Sequence, residues 1–183
     1  MKEGPSINSR GGNLAVHRTQ RRPSDIGKVV EESVLRLNAP ENIAINISLN
    51  LADPMVWIDR ALVLETLVNL EANALEAMPF GGELSLDVKD DEERIVITLK
   101  DTGRGISPET MDQIFVPYFT TKPAGIGLGI PLAYAAVKAH AGTMEIESNA
   151  APDRGQTGTR IVITLPRGRL KTEEKGKLII HED

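Results

Sequence analysis

Residues 120–132 read T-T-K-P-A-G-I-G-L-G-I-P-L, with Gly125, Gly127 and Gly129 at alternate positions and Pro131 close behind. Glycines so spaced leave backbone N–H groups open to close approach. Leu128, Leu132, Ala135, Ala136 and Ala139 then continue at helical spacing. A helix opened in this way offers an anion its free N–H groups and its positive end, and Pro131 falls in the first turn, where no donor is needed. Lys122, three residues before Gly125, adds a charge on a long stem that can reach a terminal phosphate. Taken alone, the stretch fits a phosphate cradle and a surface loop equally well. A dinucleotide fingerprint fails, because Ile130 stands where the third glycine belongs and F-V-P-Y-F-T-T-K-P is no central strand. A Walker loop fails too, since neither Gly27-Lys28 nor Gly176-Lys177 is followed by Ser or Thr.

Two further stretches carry chemistry. Asn69 and Asn73 lie four apart on one face of a predicted helix, with Glu65 a turn before them and Glu76 three residues after Asn73. From Ala61 to Val88 there is no Lys or Arg. Such a row of carboxamide and carboxylate oxygens suits a hard cation such as Mg²⁺, which keeps waters and bridges to phosphates. A polar outer face is the plainer reading, although such faces usually mix both signs of charge. In D-T-G-R-G-I (101–106), Asp101 at a strand end can accept a hydrogen bond from a flat base, and the glycines let the ring lie against the backbone. An ordinary glycine turn would look the same.

Composition narrows the partners. A net charge of −5 gives no footprint for nucleic acid. The chain has no cysteine, which excludes disulfides and thiolate metal sites, and His17, His140 and His181 lie too far apart for a metal motif. No apolar run is long enough to span a bilayer, and the first residues lack the apolar core of a signal peptide. The expectation is a cytoplasmic chain with no direct membrane insertion.

The elements that must position these residues follow from periodicity. Residues 1–22 show none and read as a flexible tail. Ile26, Val29, Val30, Val34 and Leu37 predict a helix closed by Pro40. Ile43, Ile45, Ile47 and Leu49 alternate as a strand, and Met55–Ile58 is a second, short one. Asp59 caps a long helix to about Met78, with its stripe at Leu62, Val63, Thr66, Leu67, Leu70, Ala74 and Ala77. Leu84, Leu86 and Val88 with Ile95, Ile97 and Leu99 form a hairpin across D-D-E-E (90–93). Ser107-Pro108 opens a short helix, Gly142 caps the helix after the glycines, and 143–148 and 159–165 are strands. The sum is an α+β two-layer sandwich, a mixed, mostly antiparallel sheet of about five strands with helices on one face. One domain spans 23–168. Residues 169–183 read as a linker whose end, K-L-I-I-H-E-D, is similar to the first strand of receiver domains.

In this order the stretches resemble the ATP-binding catalytic domain of sensor histidine kinases, within the GHKL (Bergerat-fold) ATPase superfamily. N-L-E-A-N-A-L-E-A-M (69–78) is similar to that family's N box, and D-T-G-R-G-I to its first glycine box. F-V-P-Y-F-T-T-K (115–122) resembles the F box and the start of the ATP lid, G-I-G-L-G-I (125–130) the second glycine box, and G-Q-T-G-T (155–159) the last glycine motif. P-Y-F-T-T-K with H-A-G (140–142) leans towards the nitrogen-regulatory type. The resemblance implies ATP and Mg²⁺ as cofactors. Asn73 would ligate the metal, Asn69 would support it, and Lys122 would reach the γ-phosphate; these three form the catalytic set. Asp101 would accept from the adenine amino group, with Thr159 near the base through water. Gly103, Gly105, Ile106 and Ile114 would wall the base, and Gly125, Gly127, Leu128 and Gly129 would offer backbone donors. Ala77, Phe115 and Thr121 complete the implied nucleotide-binding set.

Three positions depart from the pattern. Ile126 stands where most relatives carry Thr or Ser, a lost hydroxyl contact worth roughly 1 kcal/mol. Glu71 stands where an apolar residue is usual, and Glu76 where some members carry Lys. GHKL hydrolases such as gyrase hold a Glu base four residues before the metal-binding Asn, whereas this chain has Asn69 there. Efficient hydrolysis is therefore disfavoured. Histidine kinases need only positioning and charge neutralisation from this domain, because the acceptor imidazole is itself the nucleophile. The family's acceptor His, followed by Glu or Asp on a long helix, has no counterpart, since Arg18 follows His17. The reading is a catalytic fragment that donates the γ-phosphate of ATP to a His on a separate dimeric helical domain, with a response regulator receiver domain downstream. Its alternatives are a non-catalytic nucleotide-sensing GHKL module and a GHKL ATPase.

Overall fold

The apolar alternation is strongest in the middle of the chain, and the sheet is built outward from there. In the computed structural model, which describes residues 19–122 and 125–168, β4 (Gly82–Asp90) and β5 (Arg94–Asp101) form the antiparallel hairpin, with Leu86 opposite Leu99 and Val88 opposite Ile97. β7 (Gly158–Pro166) pairs with the other edge of β5, setting Ile163 opposite Ile97 and Ile161 opposite Leu99. β6 (Thr143–Asn149) closes one side antiparallel to β7, and β2 (Ile43–Asn50) closes the other parallel to β4. The order is β2-β4-β5-β7-β6. Burying one such Leu or Ile side chain is worth roughly 1.5–3 kcal/mol, so this inward row fixes the register. The opposite face carries Asp87, Lys89, Lys100 and Arg160, which remain part or fully exposed.

Three helices cover the apolar face. They are α1 (Ile26–Leu35), α2 (Arg60–Glu76) and α4 (Gly129–Ala139), while α3 (Pro108–Met111) is the single turn capped by Ser107. Asp59 caps α2 as expected, its side chain accepting from Leu62 N–H at 3.3 Å. It also ties in two distant segments. Its second oxygen accepts from Gln20 N–H at 3.0 Å, and its own N–H donates to His140 Nε2 at 2.9 Å. His140 Nδ1 lies 2.7 Å from Ala136 O, so the ring is held as the tautomer with its proton on Nδ1.

Several expectations shift. The fold begins before residue 23: Gln20 bonds to Asp59, and Arg22–Asp25 is a strand, β1, pairing antiparallel with β3 (Met55–Ile58) in a separate two-stranded sheet. R-P-S-D has no β-branched residue, and Pro23 is tolerated because this small sheet has only edges. The end of α4 also differs. Ala141 takes the left-handed turn (φ 58°), and Gly142 follows it with its N–H on Val137 O at 3.0 Å. Gly142 is required for a different reason, since a Cβ there would meet Thr164 O at 2.5 Å. Within α2, Leu62 is only half-buried, whereas Leu64 and Glu71 join the buried face. The tail up to residue 18 and the linker from residue 169, with K-L-I-I-H-E-D, lie outside the described residues.

Arg167 belongs to the fold. Its side chain, 4% exposed, donates to Asp91 O at 2.7 Å and Met55 O at 3.0 Å, pairs with Asp90, and lies 3.4 Å from Asp53 Oδ2. One guanidinium thereby joins the end of β7, the hairpin turn and the β1–β3 ribbon. Its five donors in a planar fork make that possible where Lys would not.

Candidate functional site

The site lies where α2, the turn after β5 and the start of α4 meet. Asn73 sits in the last turns of α2, and α4 packs alongside it: a Cβ added to Gly129 would lie 3.3 Å from Asn73 Nδ2. The residue before α4 is Leu128, which gives no side-chain cap. The first-turn N–H groups of α4 are thus uncapped by any side chain beside the Asn73 carboxamide. Gly127 lets the chain enter here. Its φ is 72°, and a Cβ would clash with Phe119 O at 2.4 Å. A further close approach occurs at Gly105 (φ 71°), where a Cβ would meet Asn149 O at 2.1 Å.

Lys122 reaches across to α2. Its Nζ donates to Asn73 Oδ1 at 2.7 Å and pairs with Glu76. The Asn73 carboxamide oxygen is thus occupied by the Lys122 ammonium. Asn69 stands a turn earlier and is half-buried, and Glu65, a turn before that, is exposed. Among the described residues no group of three or more His, Cys, Asp or Glu is placed to hold a metal ion.

Asp101 ends β5 and is 4% exposed. Its Oδ1 accepts from Gly103 N–H at 2.8 Å and Thr159 N–H at 3.2 Å. Its Oδ2 takes no hydrogen bond among the described residues, and solvent still reaches it, unlike the sealed Oε2 of Glu71. Burial pushes the Asp101 carboxyl above its ordinary range, against the two N–H groups that favour the anion. Ala77 caps α2, and its carbonyl accepts from Arg104 N–H at 3.1 Å, which brings the 101–106 turn onto the end of the asparagine helix. Ile114 is buried and Ile106 half-buried.

A hydroxyl relay supports Thr159, and Ser148 at its centre carried no sequence motif. Ser148 Oγ accepts from Ile106 N–H at 2.8 Å, donates to Gly158 O at 2.8 Å, and lies 3.0 Å from Thr159 Oγ1. Its single proton goes to Gly158, so the Thr159 hydroxyl donates to Ser148 and keeps its lone pairs. Pairing the last two strands by their alternation would have found it, because Ser148 stands opposite Thr159 in the register.

Not every expected residue converges here. The Phe115 ring packs on Tyr134 of α4, centroids 5.1 Å apart. Thr121 is exposed, as is Ile126 (71%). Gly125 donates its N–H to Lys122 O at 3.1 Å.

Comparison with known proteins identifies the family of the chain. Residues 58–169 match the family described as histidine kinase-, DNA gyrase B- and HSP90-like ATPase. Sporulation kinase E of Bacillus subtilis is 30% identical over 145 residues, 77% of this chain and 19% of its own length. The sensor protein FixL of Bradyrhizobium diazoefficiens is 31% identical over 172 residues, 91% of this chain and 33% of its own. The chain thus spans at most about a third of these relatives. Among solved structures, the mycobacterial sensor histidine kinase MprB superposes with a TM-score of 0.68 at 26% identity, covering 80% of this chain and 97% of that one. The chain belongs to the histidine kinase-, DNA gyrase B- and HSP90-like ATPase family, as a catalytic domain of the sensor histidine kinase kind.

Proposed function

We propose that residues 23–168 bind ATP·Mg²⁺ between α2, the 101–106 turn and the start of α4, and donate its γ-phosphate to a histidine on a separate, dimeric helical domain. The observation that carries this reading is the juxtaposition at Asn73. A carboxamide oxygen that already holds a cation lies beside helix N–H groups that no side chain caps. A metal-bound phosphate needs both kinds of group in one place.

Roles follow from that placement. Asp101 Oδ2 accepts from the adenine amino group, Gly103, Gly105, Ile106 and Ile114 wall the ring, and Thr159 meets it through water. The metal, when bound, would take Asn73 Oδ1 with Asn69 in support, and would supply neutralisation of phosphate charge. Gly127, Leu128 and Gly129 offer backbone donors, Gly125 joins them once its N–H leaves Lys122 O, and Lys122 turns to the γ-phosphate. Ala77 and Thr121 border the nucleotide, and Phe115 steadies the approach to the lid through Tyr134. The transfer breaks the bond between the γ-phosphorus and the ADP oxygen and forms one to the acceptor imidazole nitrogen. The imidazole proton leaves to a base on the helical domain.

Water is a poor substitute acceptor here. Asn69 occupies the position of the hydrolases' base, Glu65 is exposed a turn away, and Glu71 is buried against α1. The helical domain and a response regulator receiver domain are the proposed partners, in the cytoplasm and in the nitrogen-regulatory manner. Among the described residues no helix is long and apolar enough to cross a membrane. The test is γ-labelled ATP with Mg²⁺, incubated with the chain alone and with a purified helical phosphoacceptor domain. Acceptor-dependent label on histidine is expected, with no steady release of phosphate by the chain alone. Steady turnover without acceptor would overturn the reading.

A further inference from the structure

Glu76 is the departure that the family pattern leaves without a role. It stands three residues after Asn73, part of the oxygen row on α2, and it pairs with Lys122. Lys122 spans both groups, with Nζ on Asn73 Oδ1 at 2.7 Å and on the Glu76 carboxylate. The ammonium therefore sits on the oxygen assigned to the metal in the preceding section, and the present inference rests on that assignment. A neutral carboxamide oxygen alone holds an ammonium weakly, whereas a carboxylate beside it adds a charge-assisted bond. A Lys at position 76 would repel Lys122, and only an acid there can retain it.

We infer that Lys122 serves Asn73 as a built-in placeholder cation, retained by Glu76, and that it must vacate Asn73 before nucleotide with its metal can bind. Glu76 is then a positioning residue that sets how much Mg²⁺ the site demands. The same contact ties Lys122 to α2 through both Asn73 and Glu76.

Mg²⁺·ADP is the probe, because it lacks the γ-phosphate that Lys122 would otherwise gain. With nothing to displace, Lys122→Ala is expected to tighten Mg²⁺·ADP about fivefold, the size of one part-exposed ion pair. Glu76→Gln should tighten it comparably, and the double variant by no more than either alone. The gain from Lys122→Ala should vanish when ADP is titrated in EDTA, where nothing competes for Asn73 Oδ1. Weaker or unchanged Mg²⁺·ADP binding in both single variants would overturn the inference, as would an equal gain from Lys122→Ala with and without metal. Asp101→Asn separates the two levels. If it binds Mg²⁺·ADP like the parent chain, the site itself is wrongly placed. If it loses binding while the Lys122 and Glu76 variants gain nothing, only the placeholder fails.

Discussion

Asp101→Asn is expected to lower affinity for ADP at least about a hundredfold in isothermal titration, with the melting temperature within a few degrees of the parent chain. The substitution keeps Oδ1, and with it the bonds from Gly103 and Thr159 N–H. It replaces Oδ2, the oxygen assigned to the adenine amino group, with an NH₂. Two donors then face each other in a site that is 4% exposed, where a bound base displaces the little solvent that reaches this atom. A lost charge-assisted bond together with an unpaired buried donor costs about 3 kcal/mol, which is the hundredfold. Stability is spared for the opposite reason. Burial already works against the carboxylate, so a neutral amide is no worse a neighbour. An affinity within fivefold of the parent would remove Asp101 from the base-binding role.

The second large effect is on stability and comes from Glu71. It is fully buried between α2 and α1, 2.6 Å from Ser33 Oγ, which itself lies 2.8 Å from Val30 O. Ser33 Oγ donates to Glu71 Oε1, while Oε2 is sealed from solvent with no partner, so the ionised form is poorly compensated there. Burial pushes its carboxyl up to about 7 from an ordinary 4.5, and the Ser33 bond offsets only part of the rise. The folded state then holds the proton more tightly than the unfolded chain. Its contribution is fully present below pH 4.5 and is lost as pH rises from there through about 7. Each unit in that window removes about 1.4 kcal/mol, roughly 3 kcal/mol in all. Glu71→Gln keeps an oxygen for the Ser33 hydroxyl and cannot ionise. Urea unfolding should show it more stable than the parent by up to about 3 kcal/mol at pH 8, nearly equal at pH 4.5, and without the parent's slope between. Parallel pH profiles for the two proteins would contradict this account of Glu71.

Periodicity carried most of the fold because the inward rows of β4, β5 and β7 are uninterrupted and Asp59 and Ser107 are strong caps. It failed where stability comes from a polar keystone. R-P-S-D in β1 has no strand signal of its own, and it is ordered by pairing with Met55–Ile58. Arg167 carries no sequence signal, yet the hairpin turn at 90–93 and the strand Met55–Ile58 both bond to its guanidinium or its backbone. Glu71 was legible as an acid where an apolar residue is usual, but its contact with Ser33 of α1 is one that no local pattern reveals. At the site, Asn69, Asn73 and Asp101 were legible from spacing because each belongs to one element. The bond from Lys122 to Asn73 and Glu76 joins residues 46 or more positions apart that only packing brings together, whereas Ser148 opposite Thr159 follows once the last two strands are paired.

The central claim is that α2, the 101–106 turn and the glycine-led start of α4 form one nucleotide site. Backbone amide NMR shifts during titration with Mg²⁺·ADP test it most directly. The account predicts that the largest changes fall on Asn69–Ala77, Asp101–Ile106, Gly125–Ile130 and Thr159, with the exposed sheet face at Asp87, Lys89 and Lys100 unmoved. Saturable binding whose shifts map to that sheet face, or no shift at Asn73 and Gly129 at saturation, would contradict it.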